Sequence, residues 1–454
     1  MKKILKKQWI KFAVASVLYI LFVIWMRNGW LLTGLIVLAD IFLTRFVPWG
    51  AWKKTKNPSV RTALEWVDDI LFALVAVYFI NLFVFQNYQI PSSSLEKSLL
   101  VGDYLFVSKL SYGPRVPNTP LSFPLVQNTF PITNTKSYLD WPEWGYKRVA
   151  GLGKVKRNDI VVFNFPAGDT VALRQQNPDY YTLVAEYGRD YIRLNSESFG
   201  EVIYRPVDKR ENYVKRCVGM PGDSLSVRDN QVYINNEPAE NPENIQYNYY
   251  IETDGSPLTE EQFRLLDVSK SDRLLANQSL LSFLGFAPTA RVYRLPLTPK
   301  ALHIAGKLPL VKKIVIEPEA FGGTTYPVDY QTGWTRDNYG PIWIPSKGAT
   351  IRLTEQNLAL YHRCIRNYEN NTLEVKDGKI YINGKEETSY TFRYDYYFMM
   401  GDNRHNSADS RSWGFVPEDH IVGKPILVWL SLDKDHSLFK GGIRWHRLFR
   451  MVHK

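Results

Sequence analysis

The pattern of apolar and polar positions divides this chain into two parts near residue 87. Before that point, three long apolar runs cover residues 12–26, 30–47 and 70–85. Each run is near the lower length limit of about 17 to 20 residues for a helix that spans a membrane. After residue 90, short runs of β-branched and aromatic residues alternate with Pro, Gly, Asp and Asn, which is typical of strands and turns.

The apolar runs predict three membrane spans. No small-x-small cleavage site follows the first run, so we expect it to be retained rather than removed as a signal peptide. Lys and Arg concentrate before residue 12 and between residues 51 and 61. This distribution predicts that both stretches are cytoplasmic and that the chain beyond about residue 87 lies outside. Asp40 lies inside the second run and leaves open an alternative, a shallow hairpin that gives two spans instead of three.

Several local elements can be predicted from the same pattern. Five runs are expected to form strands: Tyr104–Val107, Asp159–Phe165, Tyr213–Val218, Leu225–Arg228 and Gln231–Asn235. The ten-residue stretches Val227–Asn236 and Val375–Gly384 resemble each other and predict two similar hairpins, in which Asp with Asn or Gly supplies the turn. The clearest helical pattern covers Glu355–Tyr368, with Thr354 as its N-cap.

The predicted fold class is mainly β, with N-terminal transmembrane helices before an extracytoplasmic all-β core that carries an inserted cap domain. The expected organisation is a membrane hairpin (1–60), a third transmembrane helix (61–88), a first part of the core (89–238, with an insertion at 167–210), the cap domain (239–390), a second part of the core (391–435) and a basic amphipathic tail (436–454). The tail suits a membrane surface, although a solvated last helix is the commoner explanation.

The net charge of +11 is concentrated near the N-terminus. Residues 1–60 hold ten Lys and Arg against one Asp, which leaves only +2 for the other 394 residues. Nucleic acid is therefore not an expected partner, and the basic charge beside apolar runs indicates an anionic membrane face. The histidines and cysteines have no metal-ligand spacing, so we expect no metal and no cofactor. Whether Cys217 and Cys364 pair cannot be decided from the sequence.

Three consecutive serines, Ser92 to Ser94, follow directly after the last apolar run. A serine nucleophile needs a base, and Lys215 stands within an apolar run that predicts a buried strand. Burial disfavours the charged ammonium and so makes a neutral amine available near neutral pH. A third stretch, Met399–Gly414, packs acids, hydroxyls and arginines into a loop bounded by glycine, which can hold a buried amine in place.

Bland interpretations exist for each of these stretches. The serines can be a solvated connector, Lys215 can point to solvent, and the polar loop can be an ordinary turn. A Ser–His–Asp site using His405 or His420 is a competing enzymatic hypothesis, but no serine here lies in a Gly-x-Ser-x-Gly turn.

Taken in series, four stretches resemble the bacterial type I signal peptidases, membrane-anchored Ser/Lys proteases that remove signal peptides from exported proteins. The stretches are Ile90–Asp103, Asn158–Phe163, Tyr213–Asp223 and Gly401–Arg411 with Trp413–Pro417. They occur in the family's order, after membrane segments, whereas most of residues 167–210 and 240–390 lies outside the resemblance.

The resemblance implies a role for each matching residue. It identifies Ser94 as the nucleophile, Lys215 as the general base, Ser92 as an oxyanion hydroxyl acting with the Ser94 N–H, Ser407 as the hydroxyl that orients the lysine, Arg216 with Asp402 and Asp409 with Arg411 as structural ion pairs, and Ile90, Leu95, Leu99 and Val214 as the lining of pockets for small side chains. Two positions depart from the family pattern: Lys97-Ser98 replaces the usual Pro-Thr, and His405 replaces an acid. Ser93 remains the rival for the nucleophile.

The function implied is cleavage of exported precursors after small residues of the Ala-x-Ala type. The implied location is the inner (cytoplasmic) membrane, as a multi-pass protein with its catalytic part on the periplasmic side. The implied partners are signal-peptide-bearing precursors, membrane lipid and, transiently, the secretion machinery. A second hypothesis, motivated by Lys97, His405 and the long insertions, is a secretion-associated binding protein that keeps the fold without catalysis.

Overall fold

The computed structural model describes residues 2–51, 55–133, 135–166, 170–175, 179–328, 330–433, 435–436 and 441–452, with side chains from residue 6 onward. Lys53 and Lys54 of the predicted basic loop, parts of the 167–210 insertion and parts of the 436–454 tail lie outside these ranges. The chain divides into two compact units. Unit 1 consists of residues 1–86 and 109–154, and unit 2 consists of residues 87–108 and 155–454.

Unit 1 is built on helices α1 (Lys2–Met26), α2 (Gly34–Ala39) and α3 (Pro58–Phe83). Two apolar helices, Lys6–Met26 and Pro58–Phe83, are long enough to cross a membrane. The second predicted span forms only the short helical segment Gly29–Thr44. Its length of about 24 Å is less than the roughly 30 Å of a hydrocarbon core. The described helices therefore provide two candidate spans rather than the three expected.

Asp40 begins the last turn of this segment, Asp40–Thr44, and its side chain binds the residues at the end of that turn and after it. Its carboxylate accepts hydrogen bonds from Thr44 Oγ1 at 2.5 Å, the Phe46 N–H at 2.7 Å and Trp49 Nε1 at 2.8 Å. The segment also turns back on α1, because the Tyr19 hydroxyl donates to the Leu31 carbonyl at 2.6 Å. Residues 29–44 therefore fold back against α1, and a shallow hairpin of the first two apolar runs stays a prediction.

Residues 109–154 belong to unit 1, although the sequence placed them in the catalytic core. Trp25 Nε1 donates to the Ala150 carbonyl at 2.9 Å, and the Tyr78 hydroxyl donates to the Pro120 carbonyl at 3.2 Å. Both bonds link this segment to the long helices. The first division between the units, after residue 86, lies close to the boundary predicted at residue 88, but the return of residues 109–154 to unit 1 was not predicted.

The strands of the chain are β1 Phe85–Gln89, β2 Asp103–Ser108, β3 Ile160–Asn164, β4 Thr170–Ala172, β5 Val202–Tyr204, β6 Asn212–Gly219, β7 Ser224–Arg228, β8 Gln231–Ile234, β9 Glu237–Pro238, β10 Tyr247–Thr253, β11 Leu274–Leu275, β12 Val292–Leu297, β13 Val311–Ile316, β14 Tyr339–Trp343, β15 Thr350–Arg352, β16 Leu373–Lys376, β17 Lys379–Ile382, β18 Lys385–Glu386, β19 Ser389–Thr391, β20 Tyr396–Met400, β21 Val416–Pro417, β22 Ile421–Ser431 and β23 Arg450–Met451. The remaining α-helices are α4 Tyr180–Tyr187, α5 Arg189–Leu194, α6 Ser196–Phe199, α7 Glu260–Leu265, α8 Gln278–Leu281, α9 Pro299–Ala305, α10 Glu355–Arg363 and α11 Ser410–Trp413.

The sheet that carries the candidate site has eight strands in the order β1-β2-β22-β3-β6-β20-β21, with β23 also paired to β22. Strands β3 and β20 are buried along their whole length, as their apolar sequences predict. Lys215 on β6 stands opposite Val161 of β3, and Arg216 stands opposite Met400 of β20. The central strands therefore hold both basic residues inside the sheet's packed core.

The local predictions are largely confirmed. Each of the five predicted strands is present, and α10 begins after Thr354, whose hydroxyl accepts from the Asn357 N–H at 3.1 Å. The two similar stretches form hairpins β7–β8 and β16–β17. Their turn residues, Asp229-Asn230 and Asp377-Gly378, have positive φ angles as such turns require.

Two larger expectations need correction. The fold is a mixture of helices and sheets rather than mainly β, because short helices fill both insertions. An inserted cap that covers all of residues 239–390 is not confirmed: strands β10–β13 form a sheet of their own, but other parts of the stretch pair with the core. Strand β14 from this stretch pairs with β7 of the core, and Gln246 forms a parallel bridge with Asn403. These pairings join residues far apart in the chain, so the sequence pattern gave no sign of them.

Gly102 lies directly before strand β2, at the end of the stretch that contains the three serines. Its φ is +90°, and a Cβ there would lie 2.0 Å from the Leu432 carbonyl oxygen. We expect Gly102→Ala to lower the free energy of unfolding by more than the about 1 to 2 kcal/mol that a left-handed backbone costs an L-residue. Chemical denaturation measures the change. Gly222→Ala is the matched control, because Gly222 also has φ +90° but has no atom near the added Cβ. Equal losses in both variants would contradict the steric argument.

Candidate active site

The serine run folds into a tight turn between β1 and β2. Ser93–Leu95 forms a single 3₁₀ turn, and the Leu99 N–H continues it by donating to the Leu95 carbonyl at 2.8 Å. Ser94 and Leu95 are buried. The turn is therefore part of the packed structure rather than a solvated connector.

Lys215 lies against this turn. Its Nζ is 2.7 Å from Ser94 Oγ and donates to the Val214 carbonyl at 3.2 Å. The lysine is 5% exposed. Burial lowers the pKa of Lys215 to about 8, and the negative charges of Asp409 and Asp402 oppose part of that shift. The site thus combines a hydroxyl with an amine that can lose its proton near neutral pH.

Two ion pairs fix the loop that follows β20. Arg216 binds Asp402 through two hydrogen bonds of 2.7 Å, and both side chains are buried. Arg411 binds Asp409 through bonds of 2.9 and 2.8 Å. Bidentate pairing of this kind fixes direction as well as distance. Both pairs are those that the sequence predicted.

The loop is also tied directly to the serine turn. The Asn403 N–H donates to the Ser94 carbonyl at 3.0 Å, and Ser98 Oγ donates to Asp402 at 2.6 Å. Gly401 permits this approach, because a Cβ there would lie 2.3 Å from Ser407 Oγ and 2.6 Å from the Ser94 carbonyl oxygen. The turn and the loop therefore hold each other in place.

The two other predicted hydroxyls behave differently. Ser92 is exposed, and its Oγ lies 3.5 Å from Ser94 Oγ. The hydroxyl of Ser407 is buried and has no hydrogen-bond partner among the described residues. No hydrogen bond links it to Lys215, so its role in orienting the lysine stays a prediction.

The residues predicted to line substrate pockets form one apolar cluster. Ile90, Leu95 and Leu99 are buried, and Val214 packs against them at the edge. Leu99 is completely inaccessible. These side chains anchor the serine turn in an apolar cluster, and their contact with a substrate stays a prediction.

Neither histidine proposed for a Ser–His–Asp site is described in contact with a serine. His405 lies 3.1 Å from Asn230 Oδ1 and 3.2 Å from Asp337 Oδ1. Burial lowers the pKa of His405, while its hydrogen bond to Asp337 opposes the shift. His420 contacts Asp419 at 2.6 Å and Arg210 at 2.9 Å. The contacts described for these rings are structural.

Cys217 and Cys364 are both buried free thiols. The pairing that the sequence left undecided is absent between them. Burial raises the pKa of each thiol, so both are held in the unreactive protonated form.

The backbone explains one departure from the family pattern. Lys97 has φ +73°, a conformation that the proline ring, fixed near −65°, cannot adopt. Lys97 Nζ donates to the Asp267 carbonyl and lies 3.2 Å from its carboxylate. A proline would therefore not fit position 97 of this turn, and a difference in shape from the family's turn stays a prediction.

Sequence reasoning missed several contacts at this site. Asn403 and Gly401 lie inside a stretch that the sequence singled out, but neither was given a role. The bond from Ser98 to Asp402 and the acceptor carbonyl of Val214 were not foreseen. Main-chain acceptors leave no mark in a sequence, because every residue has one.

The family model described as "Signal peptidase, peptidase S26" matches residues 63–280 and 387–430, which is more than half of the chain. This chain belongs to the peptidase S26 signal peptidase family.

Relatives named signal peptidase I are similar over most of their length. The one from Haemophilus influenzae is 23% identical over 88% of this chain and 79% of its own. Those from Buchnera aphidicola of Acyrthosiphon pisum and from Helicobacter pylori strain J99 are each 22% identical, over 87% and 86% of this chain and 83% and 91% of their own. The resemblance to type I signal peptidases, which are serine endopeptidases, is confirmed.

The Arg216–Asp402 pair gives a stability prediction. Asp402→Asn leaves a buried guanidinium without its counter-charge, which typically costs about 3 to 5 kcal/mol. We expect the free energy of unfolding to fall by several kcal/mol, measured by urea denaturation. The control is Glu386→Gln, which breaks the exposed pair with Lys379 and should cost less than about 1 kcal/mol. A loss of similar size in both variants would count against the buried pair as a support of the site.

Proposed function

We propose that this signal peptidase is a membrane-anchored serine endopeptidase that uses Ser94 and Lys215 to remove signal peptides from exported precursors after small residues of the Ala-x-Ala type. The observation that carries the proposal is the 2.7 Å contact between Lys215 Nζ and Ser94 Oγ inside a buried site. Burying a lysine amine costs free energy of desolvation, and a binding protein without catalysis has no need for such a group.

The reaction is an acyl transfer in two steps. Neutral Lys215 takes the hydroxyl proton of Ser94 while Oγ attacks the carbonyl carbon of the scissile bond. The C–N bond then breaks, and Lys215 returns the proton to the departing amine. In the second step Lys215 takes a proton from a water molecule whose oxygen attacks the ester carbon; the bond from that carbon to Ser94 Oγ breaks, Lys215 returns the proton to Oγ, and the signal peptide leaves with a new carboxylate.

An oxyanion forms in both steps. The Ser94 N–H and the exposed Ser92 hydroxyl are the proposed donors to it, and donors of this kind are typically worth about 3 to 4 kcal/mol each in the transition state. Ser92 Oγ is 3.5 Å from Ser94 Oγ, so it stands beside the reacting oxygen. Ser407, which packs against Gly401, is proposed to orient the lysine through its hydroxyl.

The proposed location is the inner (cytoplasmic) membrane, with the catalytic unit on the periplasmic side. Residues 45–61 carry five Lys and Arg and no acid, which favours the cytoplasm for this loop. Helix α3 then delivers the following chain to the outside, whether or not residues 29–44 cross the bilayer. Signal-peptide-bearing precursors, membrane lipid and, transiently, the secretion machinery are the proposed partners.

The pKa of Lys215 sets a pH dependence. The base must be neutral to act, and a folded-state pKa of about 8 means that most of it is protonated at pH 6. We expect kcat/KM for a precursor peptide to rise about tenfold per pH unit below that pKa and to level off above it. Measurements from pH 6 to pH 9.5 check this. Lys215→Ala should abolish the activity, and a flat profile or an unchanged rate in that variant would reject the mechanism.

The identity of the nucleophile is a separate prediction. We expect an active-site-directed acylating inhibitor to modify Ser94, identified by peptide mapping, because Ser94 Oγ contacts the base. Ser94→Ala should abolish both labelling and cleavage. Ser93→Ala is the matched control and should retain both. Label on Ser93, or full activity without Ser94, would overturn the assignment, and purified protein that cleaves nothing would favour the binding-protein hypothesis.

A further inference from the structure

Residues 109–154 of unit 1 expose an unusual amount of apolar surface. Ile132 is 93% exposed and Trp141 is 81% exposed. The exposed large apolar side chains described in this segment are Leu121, Phe123, Leu125, Ile132, Leu139, Trp141, Trp144 and Leu152. Soluble surfaces rarely present so many large apolar groups close together without a partner.

These side chains belong to an ordered structure. The segment folds back on itself through the bridges Ser122↔Tyr138 and Thr129↔Lys136. Leu139 N–H donates to the Leu121 carbonyl at 2.9 Å, and the rings of Phe123 and Phe130 lie 5.2 Å apart. Since the backbone is hydrogen-bonded in this form, the apolar groups are held outward by the fold.

The segment is attached to the ends of both long apolar helices. Val116 and Val149 pack in one cluster with Met26 at the end of α1 and Phe83 at the end of α3. Lys147 Nζ also donates to the Arg27 carbonyl at 3.2 Å, directly after α1. The exposed apolar surface therefore begins where the candidate membrane helices end.

The charge of the segment favours the same environment. Residues 109–154 hold six Lys and Arg against Asp140 and Glu143, a net charge of +4. Residues 61–454 as a whole carry only +2. Basic side chains interleaved with Trp, Phe and Leu are characteristic of protein segments that lie in the headgroup region of anionic bilayers.

We propose that residues 109–154 form a membrane-interface surface that inserts its apolar side chains into the outer boundary of the bilayer next to α1 and α3. The surface binds lipid, and it adds to the helices a second attachment that lies in the plane of the membrane. This inference rests on the proposed membrane anchoring and is independent of the catalytic chemistry.

The test uses the full-length protein in phosphatidylglycerol-containing vesicles. Both native thiols are buried, so a single introduced cysteine can be labelled selectively with a fluorophore. Three variants are compared: Ile132→Cys in the segment, Phe72→Cys on the exposed side of α3, and Val375→Cys on the exposed β16–β17 hairpin of unit 2. Quenchers are attached to the lipid either near the headgroup or near the chain end.

We expect the label at position 132 to lose fluorescence mainly with the shallow quencher. The label at position 72 should respond mainly to the deep quencher, and the label at position 375 to neither. An unquenched label at 132 beside a quenched label at 72 overturns this inference alone. An unquenched label at 72 overturns the anchoring, and with it the inference. Equal quenching at 132 and 375 contradicts a surface confined to this segment.

Discussion

The site depends on one buried amine. Removing Lys215 from water lowers its pKa. In the proposed mechanism the amine can act as a base only while it is neutral. Asp402 and Asp409 lie close enough to raise the pKa of Lys215 again. Their pairing with Arg216 and Arg411 places a positive charge beside each carboxylate, which limits its effect on the lysine. The ion pairs therefore support the neutral amine that the proposed mechanism needs, as well as the shape of the loop.

The elements around Lys215 shield its amine from water. Strands β3 and β20 flank β6 and are buried along their whole length. The serine turn closes the remaining side, held by Asn403 and by the bond from Ser98 to Asp402. Each closing contact joins segments more than a hundred residues apart. A substitution that breaks one of these contacts is expected to alter the position of Ser94.

Elements set by local chemistry could be predicted from the sequence. The hairpin turns at Asp229-Asn230 and Asp377-Gly378 depend only on residues that tolerate positive φ, and α10 depends on its Thr354 cap. The serine run and Lys215 stood out because hydroxyls beside an apolar helix and a lysine inside an apolar strand are both unusual, whereas the choice of Ser94 among the serines came from the family resemblance. These features need no knowledge of distant partners.

Features set by distant partners could not be predicted. The pairing of β7 with β14 joins part of the expected cap to the core, and the sequence pattern of neither strand indicates its partner. The apolar run at residues 30–47 predicted a span, but the helical segment ends at Thr44, and the Asp40 carboxylate accepts hydrogen bonds from Thr44, Phe46 and Trp49 around that end. Residues 109–154 were predicted to belong to the core. Their apolar side chains face outward in the structure, and a sequence pattern alone does not distinguish exposed apolar residues from buried ones.

The division of the chain into units has a consequence for its integrity. The backbone passes between unit 1 and unit 2 three times, at about residues 86, 108 and 154. A single proteolytic nick after α3 would leave the helices held to residues 109–154 by non-covalent packing, and those residues stay covalently joined to unit 2. One cut at that place is therefore not enough to separate unit 2 from the helices.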